Sequence, residues 1–364
     1  MSTRELLLIP GPTPVADHIQ AVIASQPMAH RSPDFSKILK QVVADLKWLG
    51  NTDNDCFVFT ASGTGAMEAA IANTINRGDK VLCLTGGVFG ERWAKIAQAY
   101  GADIEKLSFA PGTALPIDKL KEKLANDHNK SIKAVTITHN ETSTGVINDL
   151  QSICALVREH GALSIVDAVT SFGASPVEID KWNIDLLITG SQKALMLPPG
   201  LSFIFVSKKA WQAYDQCQNP RFYYDLAKYR KSLEADTTPF TPAVNLIMGL
   251  QASLNDLKAA GKEAVYARHL HLKELLRQGV KDLGLKLFAS ETDASPTVTS
   301  ILPPDGFTVD QIRKALNSQY SIRTADGQEE LKGKIFRISH MGYVSAKDML
   351  TVLAALRAVL RPQG

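Results

Sequence analysis

Short apolar runs and longer stretches of helical period alternate from about residue 56 to residue 206. The runs KVLCL (80–84), IKAVTIT (132–138), ALSIVDAV (162–169), DLLIT (185–189) and LSFIFV (201–206) are dense in Val, Ile, Leu and Phe. Their brevity and β-branched content predict buried strands. Between several of them lie TGAMEAAIANTIN (64–76), ERWAKIAQAY (91–100) and LQSICALVREH (150–160). Apolar residues return there every three or four positions, which predicts helices. Strands alternating with helices build βαβ units, so the expected fold class is α/β, with a mostly parallel central sheet covered by helices. Ligands of such sheets lie outside the carboxyl ends of the strands, and the functional groups are sought there.

After Pro242 the alternation stops. A long helical tract follows (245–284), with Gly261 expected to break it into two helices. Short strands TVTSILP (297–303) and KIFRISH (334–340) flank a helix TVDQIRKALNS (308–318), and a last helix AKDMLTVLAALRAVLRP (346–362) follows. This tail reads as a smaller α+β domain. The expected division is an N-terminal segment 1–14, a large domain 15–245 and a small domain 246–364. At 364 residues the chain exceeds what one hydrophobic core usually serves, which agrees with two domains.

Composition mainly excludes. Lys plus Arg number 40 against 37 Asp plus Glu, without basic blocks, so neither nucleic acid nor a charged membrane surface is an expected partner. The opening MSTRELLLIPGPTP has too short an apolar stretch for a signal-peptide core, and no run approaches the roughly 18 apolar residues of a membrane span. Cys56, Cys83, Cys154 and Cys217 show no CxxC pairing, so neither a metal site nor a disulfide framework is expected. They read as small core residues of a cytoplasmic protein.

Four groups fall at predicted strand ends or in a strand. TASGTGAMEAA (60–70) is a strand, Gly-rich turn and helix, where backbone N–H groups with Ser62 and Thr64 could meet an anion or simply form a turn. Glu68 stands where a dinucleotide fingerprint needs its third glycine. Asp167 ends a very apolar run, which is costly unless it is paired or caps a ladder. Lys193 follows the strand 185–189 and precedes a turn of two prolines and a glycine. Arg337 sits within a strand, in place for a bidentate carboxylate grip or a structural ion pair. Each has an ordinary structural explanation alone. Together they are the parts of a pyridoxal-phosphate enzyme: a phosphate cradle, a partner for the pyridine nitrogen, a lysine for the aldehyde and a carboxylate clamp.

The stretches HNETSTGV (139–146), VDAVTSFGA (166–174) and SQKALMLPPGLSF (191–203), in that order and spacing, resemble the class V, fold-type I aminotransferases. The resemblance spans nearly the whole chain and is nearest the alanine–glyoxylate / serine–pyruvate group. It implies pyridoxal 5′-phosphate as cofactor, Lys193 as the Schiff-base lysine and proton shuttle, and Asp167 as the pyridinium partner. Val169 and Phe89 would flank the ring, Phe89 where some relatives carry tryptophan. Thr142 would reach the phenolic oxygen. Thr64, Gly65 and Gln192 match phosphate-binding positions, with Ala66 where some relatives use histidine. Thr241 would reach the phosphate of the neighbouring subunit, implying a homodimer with sites at its interface. Arg337 would bind the substrate carboxylate, and Gly11 with its flanking prolines would line the entrance.

The implied reaction is ping-pong transfer of the amino group of alanine or serine, with aspartate open, to glyoxylate or pyruvate. Arg31 and Arg323 are the candidates for a second substrate-binding cation, and His30 is assigned no role. Alternatives are a 2-aminoethylphosphonate transaminase, or a non-catalytic subunit on the same fold. A cysteine desulfurase would need a cysteine within 321–339, and there is none.

Overall fold

The computed structural model describes residues 5–361. It opens with β1 (Leu6–Leu7), α1 (Asp17–Ile23) and α2 (Pro33–Gly50). Alternation follows: β2 (Asp55–Phe59), α3 (Gly63–Thr74), β3 (Lys80–Thr85), α4 (Val88–Ala99), β4 (Asp103–Ser108), α5 (Ile117–Ala125) and β5 (Ile132–Thr138). A small hairpin, β6 (Asn140–Glu141) and β7 (Val146–Ile147), leads to α6 (Leu150–His160), β8 (Leu163–Asp167), β9 (Leu186–Gly190) and β10 (Ser202–Val206). Four helices come next: α7 (Lys208–Gln216), α8 (Leu226–Leu233), α9 (Val244–Ala260) and α10 (Lys262–Asp282). The remaining elements are β11 (Val298–Ile301), α11 (Val309–Tyr320), β12 (Ile322–Arg323), β13 (Ala325–Asp326), β14 (Phe336–Ser339) and α12 (Ala346–Val359).

Among the described residues the central sheet runs β2-β10-β9-β8-β5-β3-β4. Only β10 is antiparallel to its neighbours. Periodicity did not show that reversal, because a strand buried on both faces looks alike in either direction. Pattern also passed over β4, an edge strand with the polar sequence DIEKLS. Adjacent side chains of β3 and β10 serve opposite faces. Leu82, Leu84, Phe203 and Phe205 join α2, α6 and α9 on one side, and Val81, Cys83 and Ile204 join α3 and α4 on the other. Helix α3 buries Ala66, Ala69, Ala70 and Ala72, and these small side chains let its backbone lie close to the sheet. Local signals set the helix ends. The Ser32 hydroxyl accepts the Phe35 N–H at 3.2 Å to start α2 ahead of Pro33, and Asn51 stops it at φ 48°.

The smaller body has its own core, with Leu272, Leu276, Ile312, Leu316, Phe336, Ile338, Met349 and Val352. Leu8 belongs to it as well. β1 pairs in parallel with β12, and Ser339 N–H donates to Leu8 O at 2.8 Å, so the N-terminal segment is stitched into the small domain. The structure moves the second boundary. Helix α9 packs on α1 and α2 and buries Ile247, Leu250, Leu254 and Leu257 in the large-domain core. At roughly 1.5–3 kcal/mol for each such side chain, it is bound to that body firmly. The change of core falls inside α10, between Val265 and Leu272. Gly261 breaks the tract as expected, at φ 78°. All four cysteines are free and buried, and no helix among the described residues is long and apolar enough to cross a membrane.

Candidate active site

Two adjoining cavities open at the carboxyl ends of β5, β8 and β9. The inner one, about 300 Å³, is walled by the start of α3, by Phe89 and Arg92 of α4, and by Asn140, Asp167, Val169 and Gln192. The outer one, about 400 Å³, is walled by Gly11, Arg323, Gln328 and Arg337. Phe89, Thr142 and Lys193 belong to both, so Lys193 stands where the two meet.

Asp167 is the last residue of β8, in register with Thr138 and Ile188, and only 5 % exposed. Its Oδ1 accepts the Val169 N–H at 2.8 Å, and Oδ2 has no hydrogen-bond partner among the described residues. Burial pushes its pKa up to about 6, and nearby Glu141 acts in the same sense against Arg92 and Lys193. Burial pulls Lys193 down to about 8, opposed by Asp167 and assisted by Arg337 and Arg92. Its Nζ donates to Pro10 O. The N-terminal segment clasps this lysine closely. Thr13 Oγ1 donates to Lys193 O at 2.9 Å, and Thr13 N–H donates to Gln192 O at 3.1 Å. Gly11, at φ +125°, lies so near that a Cβ there would stand 2.4 Å from Nζ.

The start of α3 is an open set of donors. Ser62 flanks it in extended conformation without capping it, and its first turn contains no acidic residue. The N–H groups of Gly63 and Thr64 have no partner among the described residues, whereas that of Gly65 is already bonded to Ser62 O. A Cβ on Gly63 would meet Val169 at 2.9 Å, so glycine allows the helix start to sit against the cavity wall. This corrects the expected cradle. Gly65 faces Tyr224, whose hydroxyl a Cβ would strike at 2.4 Å, and Ala66 is fully buried among Met67, Ala69 and Ala70. With 3.6 residues per turn, Ser62 to Thr64 and, one turn on, Met67 line the cavity, whereas Gly65 and Ala66 do not.

Arg337 is 5 % exposed, and burial draws its pKa down to about 10. Nε and Nη2 donate to Asp326 O at 2.9 and 2.7 Å, and Nη1 donates to Thr142 O at 2.9 Å and Gln328 Oε1 at 3.0 Å. Of the five N–H groups of a guanidinium, one on Nη2 is left, and no carboxylate pairs with it among the described residues.

Glu141 is the residue that joins these walls. Its buried carboxylate accepts the N–H groups of Phe89 and Gly90 at 3.1 Å each, and from Ser143 both N–H and hydroxyl. Burial raises its pKa while those donors lower it. Thr142 and Thr170 hydroxyls meet at 2.8 Å, and Asn140 Nδ2 donates to Thr170 Oγ1 at 2.8 Å.

The fold therefore gathers Thr64, Phe89, Thr142, Asp167, Val169, Gln192 and Lys193 around one cavity and Gly11 and Arg337 around the next. Thr241 is exposed and lies outside the cavities of its own chain. Arg31 is turned away, donating to Thr237 Oγ1 and Thr238 O at 3.1 Å each, and Arg323 lines the outer cavity but pairs with Glu5 at 2.8 Å. Sequence reasoning missed Arg92, Asn140, Glu141, Thr170 and Gln328. A signal existed for Arg92, three positions after Phe89 on a helix and so on the same face.

The chain matches the family model described as Aminotransferase class-V over residues 16–351. A protein of Methylorubrum extorquens named serine–glyoxylate aminotransferase is 38 % identical, over 99 % of this chain and 92 % of its own. One of Anabaena cylindrica named soluble hydrogenase 42 kDa subunit is 46 % identical, over 100 % of this chain and 95 % of its own. The crystal structure of alanine–glyoxylate aminotransferase from Nostoc sp. superposes with a TM-score of 0.93 at 30 % identity, covering 99 % of this chain and 96 % of that one.

Proposed function

The chain belongs to the class V aminotransferases, and from that premise we propose that it moves the amino group of a small L-amino acid, alanine or serine, to a 2-oxo acid such as glyoxylate. The observation that carries this reading is the meeting of Lys193, Asp167 and Arg337 across two joined cavities. The residues present fit pyridoxal 5′-phosphate. Asp167, in the cavity wall, offers an unused carboxylate oxygen to a protonated ring nitrogen, and the open N–H groups of Gly63 and Thr64 suit a phosphate. Gln192 Oε1 and Asn140 Oδ1 are buried without partners on the same wall, which calls for a polar occupant. When bound, the cofactor supplies an aldehyde that captures amines and a ring that accepts electrons from the substrate α-carbon.

The chain's own residues do the rest. Lys193, drawn toward neutrality by burial, takes the proton from the α-carbon at Nζ and returns it. Asp167 keeps the proton on the ring nitrogen. Arg337 orients the substrate carboxylate. A two-point grip needs a second N–H, and Gln328 is the partner able to yield one, because the other acceptors are main-chain carbonyls. Phe89 and the segment 9–11 narrow the access of water.

Spectra of the holoenzyme with single donors decide the chemistry. Alanine, serine, aspartate and 2-aminoethylphosphonate are added in turn without an oxo acid. Conversion of the visible cofactor band by alanine or serine is expected, with parallel double-reciprocal lines in the full reaction. If only 2-aminoethylphosphonate converts it, the substrate class is wrong. If Lys193→Ala keeps full turnover, the enzyme assignment itself fails.

We read the active unit as a homodimer. Thr241 is exposed beside an aromatic surface in which Phe222 is 72 % exposed and Tyr223 stacks on Phe240 at 4.9 Å. A second copy is the covering such a surface suits. Subunits carrying Lys193→Ala mixed with subunits carrying Thr241→Ala should form hybrids with one complete site, and activity above the sum of the two parents. Purely additive activity would contradict sharing of the site.

A further inference from the structure

Two cations line the inner cavity, Lys193 and Arg92, and nothing above gives Arg92 a task. Its position is fixed by two contacts. The guanidinium carbon lies 4.8 Å from the centre of the Phe89 ring, and Nη1 donates to Thr64 Oγ1 at 3.2 Å. The first is a cation–π contact from the preceding turn of α4. The second holds the charge against the start of α3, where the Gly63 and Thr64 N–H groups are open. No carboxylate lies within ion-pair distance of Arg92 among the described residues, and Asp167 acts on it only at longer range. A partly buried arginine with one hydroxyl partner keeps most of its donors for something else.

We propose that Arg92 is the counter-cation of the cofactor's phosphate group, supplying the full positive charge that the helix start, Ser62 and Thr64 lack. This deepens the reading of the site given above and rests on it. A phosphate monoester carries about −1.5 to −2 charge near neutral pH. Open main-chain donors and hydroxyls solvate such a group without neutralising it, and Lys193 is engaged with Pro10 O and Asp167. The guanidinium fork suits phosphate oxygens, and its stacking on Phe89 leaves the edge free to donate. The same guanidinium packs on Phe89, which lines both cavities, so a change at Arg92 would be felt at that wall as well.

The test compares affinities of the apoenzyme for pyridoxal phosphate and for pyridoxal, which lacks the phosphate, with inorganic phosphate as competitor. Arg92→Gln should weaken pyridoxal phosphate by about 10- to 100-fold, the range for loss of a charged hydrogen-bond partner, and pyridoxal by less than about threefold. Phosphate ion should compete in the wild type and lose most of that effect in the variant. Arg92→Lys keeps the charge, so it should retain the preference for the phosphorylated ligand, and it decides the matter if Arg92→Gln does not fold. Unchanged pyridoxal phosphate affinity in Arg92→Gln overturns the proposal. So does equal weakening of both ligands, which would make Arg92 only a support for Phe89. A wild-type apoenzyme that bound neither ligand would instead overturn the underlying reading of the cavity.

Discussion

Burial pulls the Lys193 ammonium down to about 8, with Arg337 and Arg92 pushing the same way and Asp167 resisting. An amine must be neutral to attack an aldehyde, so capture of cofactor by the apoenzyme is expected to speed up with rising pH, with a midpoint near 8. Stopped-flow absorbance from pH 6.5 to 9.5 measures it, and a rate still climbing without levelling at 9.5, as for an ordinary lysine, would show that the burial is not felt. Arg337 carries a second expectation at this scale. Arg337→Gln removes a buried charge from the carboxylate and should cost about 2–4 kcal/mol in kcat/KM, roughly 30- to 1000-fold, with the fold kept. A fall in thermal stability alone would make it structural. Both residues were legible in the sequence, because a charge placed in an apolar run is conspicuous. Glu141 was not. It lies in a polar stretch, HNETS, and only the fold shows that this stretch is buried.

Two helix starts and one hairpin build the site. The start of α3 faces the cavity with open N–H groups, while the start of α4 is closed by Glu141 from the hairpin β6–β7. Gly87 permits that closure, since a Cβ there would stand 2.5 Å from the Glu141 carboxyl carbon. Through this contact the Phe89 wall is tied to Thr142, whose carbonyl in turn holds Arg337. Glu141→Ala would leave the N–H groups of Phe89, Gly90 and Ser143 without their acceptor, at a cost of about 2–4 kcal/mol. A lowered thermal midpoint is expected, together with weakened circular dichroism of the bound cofactor. An unchanged dichroic band would mean that the Phe89 wall stands without this carboxylate. Element positions followed periodicity well: β5 and α6 match their predicted bounds, whereas β4 was passed over because an edge strand need not be apolar.

Across the whole molecule, burial lowers the pKa of His160 and holds three further histidines neutral: His139 near 4, and His269 and His340 near 3. His269 adjoins Arg268, and His340 faces His269, Lys273 and Arg277, all of which oppose protonation. Folded, these rings bind fewer protons than in the unfolded chain, so their stabilisation is complete above about 6.5 and drains as pH falls toward 4. Asp167, raised to about 6, and Glu141 work the other way in part of that window. Each proton is worth about 1.4 kcal/mol per pH unit, and three histidines outnumber two carboxyls. The thermal midpoint of the apoenzyme is therefore expected to fall between pH 6.5 and 4.5. A flat or rising midpoint would contradict the burial of these rings.

Sequence by itself determined the α/β class and the break at Gly261, and it singled out Lys193, Asp167 and Arg337 as candidates, because spacing and misplaced charge are local properties of the chain. Tertiary structure alone decided what depends on contacts between distant segments. It assigned α9 to the large domain through the apolar stripe it buries, and turned Ala66 away from the cavity while bringing Ser62 to Thr64 toward it. It also reversed β10, left Thr241 outside its own site, and set Arg92 against Thr64 across 28 positions of chain. Periodicity reports which face of an element is apolar, and it carries no information about which other element will cover that face.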